Sequence, residues 1–130
     1  MLDLAISIDQ GIRLYIFRGE PNDDTLFDCI REAWKDPEYD PEVPEVYDLR
    51  QMKADHLSSQ GIRNLAKLNE EMHRDTKPVR VAFIAADDLG YGLARMSRPY
   101  IHDNRGENIR VFRDEESALE WVRGKENSQS

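Results

Sequence analysis

The stretch Val79–Tyr100, VRVAFIAADDLGYGLARMSRPY, decides how the rest of the chain is read. From Val79 to Ala86 it is apolar except at Arg80, rich in β-branched and aromatic side chains, and closed by a turn signal. A short run of that kind predicts a strand buried on both faces. Asp87 and Asp88 then offer side-chain oxygens to the open amides of a helix start. Leu89, Leu93, Met96 and Tyr100 follow at i, i+4, i+7 and i+11, one stripe of an α-helix. A central strand that feeds directly into a helix is the repeating unit of an α/β sheet.

Working outward toward the N-terminus, Leu2, Leu4, Ile6 and Ile8 alternate with polar or small residues, and Ile12, Leu14 and Ile16 do so again. Asp9-Gln10-Gly11 lies between them, with a glycine able to take positive φ, so the two runs predict an antiparallel hairpin. Asn22 or Asp23 can cap the next helix, whose apolar residues are Leu26, Phe27, Ile30, Ala33 and Trp34. Asp36–Glu45, DPEYDPEVPE, carries three prolines and five acids and reads as an exposed loop. Val46–Leu49 predicts a strand. A helix from about Asp55 to Arg74 follows, with Leu57, Ile62, Leu65, Leu68 and Met72 inward. Asp75–Pro78 ends it before the central strand.

Beyond Tyr100, Asp103–Asn108 is a polar turn, and Ile109, Val111 and Phe112 form a last strand. Asp114, with Glu115 and Glu116 behind it, suits a helix N-terminus as cap and against the dipole. Gly124 closes that helix. The order β-β-α-β-α-β-α-β-α predicts a mostly parallel α/β sheet with an antiparallel N-terminal strand at or near an edge. Residues 1–124 read as a single domain and 125–130 as a polar tail.

Composition narrows the classes of function. The chain has 130 residues, 39% of them hydrophobic and 34% charged, with a net charge of −8. Such a field repels phosphate backbones, so no nucleic-acid partner is expected. No window approaches the ~20 apolar residues of a membrane span. MLDLAISIDQ lacks the basic leader and cleavage site of a secretory signal. Cys29 is the sole cysteine, which suits a reducing compartment, and a cytoplasmic location is expected. His56, His73 and His102 have no metal-ligand spacing, so neither metal nor cofactor is expected.

The order of elements and several local motifs resemble the STAS family, the domain type of bacterial anti-sigma-factor antagonists and sulphate-transporter tails. More narrowly, the chain is similar to free-standing, single-domain bacterial STAS-like proteins with a SpoIIAA-like fold and no assigned function. The residues that carry the resemblance are Val46-Tyr47-Asp48-Leu49, the Ser58-Ser59 region, and the block from Val79 to Arg95. Arg110–Asp114 followed by Ala118-Leu119-Glu120-Trp121 adds to it. The resemblance implies a non-catalytic regulatory module that docks a protein partner, with Ser58 or Ser59 as candidate phosphoacceptor. Family members carry Asp-Ser-Ser-Gly at that helix start. Here the stretch is His56-Leu57-Ser58-Ser59-Gln60-Gly61, without the preceding acid and with Gln60 before the glycine.

Asp48, Asp87 and Asp88 fall near the carboxyl ends of predicted parallel strands, where open α/β sheets place their crevices. They read first as helix caps, and otherwise as an acid–base or Mg²⁺ site. With Arg50, Ser58, Ser59, Tyr91 and Arg95 they make the expected partner face. Gly90 and Gly92, at a helix start, suit close packing of backbone or ligand around Tyr91. Leu89, Tyr91, Leu93, Met96, Tyr100 and Trp34 offer a second reading, a cavity for a lipid-like or other small apolar ligand, or equally a filled core.

Overall fold

The computed structural model describes residues 2–73, 79–85 and 109–124. Its elements are β1 (Leu2–Asp9), β2 (Ile12–Gly19), α1 (Asp23–Lys35), β3 (Glu45–Met52), α2 (Ser59–His73), β4 (Val81–Ile84), β5 (Ile109–Phe112) and α3 (Glu115–Val122). The five strands form one sheet in the order β1-β2-β3-β4-β5. β1 and β2 pair antiparallel from Leu2 against Gly19 to Asp9 against Ile12. Gln10 and Gly11, at φ +52° and +80°, make the two-residue turn that matches strand twist. β2, β3, β4 and β5 run parallel. The expected α/β architecture with an antiparallel edge strand is therefore what the chain adopts.

β4 lies inside the sheet between two parallel neighbours, as its apolar run predicts, although the middle place belongs to β3. It is shorter than the run Val79–Ala86 because its ladder to β5 has partners only from Val81–Ile109 to Ile84–Phe112. One further bond, from Ala85 N–H to the Phe112 carbonyl at 2.9 Å, extends that contact. The helix expected after Asp87, its glycines Gly90 and Gly92, the polar turn Asp103–Asn108 and the tail lie outside the described residues.

Strand alternation sends two separate cores to the two faces of the sheet. On one face Ile12, Val46, Ala82 and Ile84 pack under Ala118, Trp121 and Val122 of α3. On the other, Tyr15, Phe17 and Tyr47 meet Leu26, Ala33 and Trp34 of α1 and Leu68 of α2. Tyr15, Tyr47 and Phe83 share one register line across β2, β3 and β4. Their rings stack with centroids 4.3 and 5.3 Å apart, a cross-strand aromatic row on a half-covered pleat.

At one end of that row sits a buried polar cluster. The Glu45 carboxylate accepts from the Tyr15 hydroxyl at 2.5 Å and from the Tyr47 hydroxyl at 3.0 Å. The Trp34 indole N–H donates to the Tyr47 oxygen at 3.3 Å. Arg13, opposite Glu45 in register, is buried with its guanidinium over Tyr15 and Tyr39, and its Nε has no hydrogen-bond partner. Glu45 thus departs from the expected exposed loop of residues 36–45. The loop's own turns, Asp36 accepting from Glu38 N–H and Asp40 from Glu42 N–H, fold Tyr39 back over the strands. Glu45 thereby enters β3 as a buried residue.

Candidate functional site

β2, β3 and β5 each hand the chain to a helix at the same edge of the sheet, so the starts of α1, α2 and α3 gather there. At α1, Asn22 is the cap, its Oδ1 accepting from Thr25 N–H at 2.8 Å. That leaves the neighbouring Asp23 free of capping duty, and it reaches across to α2. Asp23 Oδ1 accepts from Ser58 N–H at 2.9 Å and Oδ2 from the Ser58 hydroxyl at 2.5 Å. Ser58 Oγ in turn accepts from Gly61 N–H at 3.1 Å, which makes Ser58 the cap of α2.

The helix therefore starts at Ser59 and not near Asp55. Asp55 lies instead in a turn closed by Leu57 N–H on the Ala54 carbonyl at 3.1 Å. The carboxylate that bonds Ser58 comes from Asp23 at the start of α1, not from a residue next to the serines in the sequence. A hint was present: Asn22 and Asp23 are adjacent cap-type residues, and one helix needs only one.

Gly61 faces the Asp23 carboxylate so closely that a Cβ there would overlap it. In an otherwise free helix, Gly→Ala stabilises by up to about 1 kcal/mol. Here Gly61→Ala displaces Asp23 and breaks its bonds to Ser58, and the expected outcome is a loss of about 1–2 kcal/mol in urea unfolding. In an Asp23→Ala background the same substitution should become stabilising. Equal effects in both backgrounds would refute the Asp23–Ser58 lock.

A second tie joins β3 to α3. The Arg50 guanidinium forks onto Asp48, Nε to Oδ1 at 2.9 Å and Nη2 to Oδ2 at 2.7 Å, and reaches Glu115 Oε1 at 3.3 Å. The Asp48 side chain is 4% exposed and that of Arg50 34%. Burial alone would raise the Asp48 carboxyl, but hydrogen bonds from the Arg50 side chain and amide and the Arg50 charge hold it below the usual range. Asp114 caps α3 through Ser117 N–H at 2.8 Å. Both Asp48 oxygens are thus engaged by Arg50. Among the described residues no group of three or more His, Cys, Asp or Glu side chains is arranged to hold a metal.

Of the sequence-predicted site residues, the structure brings Asp48, Arg50, Ser58 and Ser59 to this edge, with Arg50, Ser58 and Ser59 exposed. Asp87, Asp88, Tyr91 and Arg95 lie outside the described residues. Next to the Ser58 lock, α1 and α2 enclose a groove of about 350 Å³ floored by Phe27 and Leu68 and rimmed by Asp23, Asp24, Lys67 and Glu71. Sequence reasoning did not find this groove, because its walls come from two helices.

Trp34, offered as one wall of an apolar ligand cavity, is 7% exposed and packed in the core. Leu89, Tyr91, Leu93, Met96 and Tyr100 are outside the described residues. Cys29 is half-buried. Burial, then the Asp3 charge, push its thiol up, which keeps it protonated and a poor nucleophile. Among the described residues no helix is long and apolar enough to cross a membrane.

A β-hairpin leading into parallel strand–helix units, with helix starts gathered at one edge, defines a STAS-like, SpoIIAA-like α/β fold. In particular, the chain is similar to the crystal structure of an anti-sigma factor antagonist from Mycobacterium paratuberculosis, with a TM-score of 0.63, 17% identity, and 95% of each chain covered. It is also similar to an uncharacterised protein of the DUF3478 family with a SpoIIAA-like fold from Shewanella loihica, with a TM-score of 0.59, 19% identity and 93% of each chain covered. No protein-family model matches the sequence, and no curated protein matches it.

Proposed function

We propose that the chain is a non-catalytic regulatory module that docks a protein partner on the edge where the helix starts gather. The observation that carries this reading is the locked frame there. Asp23–Ser58 ties α1 to α2 and Asp48–Arg50–Glu115 ties β3 to α3, while Arg50, Gln51, Lys53, His56 and Ser59 between them stay exposed. A preformed surface of mixed charge loses little entropy on docking, which suits recognition of a folded partner. The fold shared with an anti-sigma factor antagonist supports the same reading.

Within this proposal the two serines differ. A phosphate on Ser58 would set a dianion against Asp23 and break the α2 cap, whereas on Ser59 it would sit in the first turn, where the helix dipole favours it. Ser59 is then the modulating position and Ser58 the structural one.

The test places a photo-crosslinking side chain at Lys53 or, as a control, at exposed Arg123 beyond the other end of α3. Each protein is used as bait in extract of the native host. The expected result is one protein captured from position 53, absent from position 123, and lost when Ser59→Glu is added. Equal capture from both positions rejects this face.

A further inference from the structure

β1 ends the sheet, and its outer side carries no strand among the described residues. Edge strands are ordinarily blunted by charged side chains, above all lysine, or by proline or a bulge. β1, LDLAISID, has no lysine, proline or bulge, its register with β2 is unbroken from Leu2 to Asp9, and its two charges, Asp3 and Asp9, lie toward its ends. It also exposes two large apolar side chains, Ile6 at 39% and Ile8 at 62%.

The hairpin turn fixes which backbone groups are left over. With Gln10 and Gly11 both at positive φ, Asp9 and Ile12 form the closing hydrogen-bonded pair. Bonded pairs alternate along an antiparallel ladder, so Ser7, Ala5 and Asp3 also bond inward to β2. The amide and carbonyl groups of Leu2, Leu4, Ile6 and Ile8 therefore point outward. The same four residues share one face of the strand, the α1 face, where Leu2 and Leu4 pack.

We propose that this edge is a dimerisation seam on which a second copy of the chain adds its own β1, antiparallel and centred on Ala5. In that register Leu4 lies opposite Ile6 of the second copy and Leu2 opposite its Ile8. About eight backbone hydrogen bonds form, two for each narrow pair. On the opposite face Asp3 meets the Ser7 hydroxyl, which can donate to it. The neighbouring register centred on Ile6 sets Asp3 against Asp9, a like-charge pair directly across the ladder, and is disfavoured. Charge therefore selects the Ala5 register over the Ile6 one, and the register centred on Leu4 leaves Ile8 outside the ladder and loses one bonded pair. The seam lies at the far margin of the sheet from α3 and is independent of the partner face proposed above.

The full chain would be followed by sedimentation across a wide concentration range, with circular dichroism as a check on folding. The expected result is a concentration-dependent dimer whose dissociation constant rises at least about tenfold in Ile8→Lys, an exposed position that the monomer fold does not need. The register is read separately in a Cys29→Ser background. Ala5→Cys places two cysteines opposite each other at a non-bonded pair, about 4.5 Å between Cα atoms, within disulfide reach. Mild oxidation should join this variant efficiently and Ile6→Cys poorly. A monomer at every concentration, or a dimer indifferent to Ile8→Lys, overturns the seam. Preferential joining through Ile6→Cys overturns the register.

Discussion

Replacing Trp121 with alanine is expected to destabilise the protein by about 3–5 kcal/mol, the range for emptying a buried large aromatic site. The indole is 3% exposed, packs with Val46, Ala82 and Ile84 under α3, and meets the Phe112 ring at 5.8 Å. Arg80 and Arg110 place their guanidinium carbons 5.0 and 5.3 Å from its ring centre, so removal also costs two cation–π contacts. Arg80 further donates to the Trp121 carbonyl at 2.5 Å, a bond that truncating the side chain does not itself delete. A domain of ordinary stability holds about 5–15 kcal/mol in all, so the loss should appear as a large fall in the urea midpoint at unchanged slope. A change below about 1.5 kcal/mol would mean that α3 does not depend on this anchor.

Glu45→Ala should cost about 2–5 kcal/mol by a different route. It removes the acceptor of two buried phenol hydroxyls, each worth about 1–3 kcal/mol when left unsatisfied, and strips a compensating charge from beside buried Arg13. Glu45→Gln keeps an acceptor oxygen and should cost less. If both substitutions have the same small effect, the cluster contributes little to stability.

The alkaline side of the stability curve reports on the same cluster. Burial, the Glu45 charge and, for Tyr15, its hydrogen bond to Glu45 push the Tyr15 and Tyr47 phenols well above their ordinary range. The folded state therefore holds protons that the unfolded chain releases near pH 10. Stability that is fully present below that pH is lost progressively as pH rises from there toward the raised range of the folded state. Tyrosinate absorbance from two of the five tyrosines should appear together with unfolding and not before it. Early ionisation of all five would contradict the burial of this pair.

Much of the scaffold is legible in short-range patterns. The hairpin follows from two period-2 runs around Gln10-Gly11, and the caps at Asn22 and Asp114 stand where an oxygen-bearing side chain precedes a helical stripe. The interior place of β4 follows from an apolar run that only a strand with covered neighbours can hide. The start of α2 lies at Ser59 and not near Asp55 for a definable reason. Asp55, Ser58 and Ser59 are all competent caps, and the choice of Ser58 depends on a carboxylate from another helix. By sequence Glu45 belongs to a solvated loop, because its companions there are acidic. Its burial depends on tyrosines of β2 and β3 that turn their hydroxyls toward it.

The linear chain thus settled the kind and order of the described elements, since caps, turns and hydrophobic period act within a few residues and need no distant partner. Tertiary structure alone chose which of several equivalent polar side chains do structural work and which face solvent. Asp23 locks Ser58, Arg50 clamps Asp48, and Glu45 is sealed among tyrosines because a hydrogen bond across a fold depends on proximity, which no spacing along a sequence encodes. The edge proposed for docking belongs to that second category: Asp48, Arg50, Ser58 and Ser59 can be named one by one from the sequence, but the frame that gathers them exists only once α1, α2 and α3 begin at the same margin of the sheet.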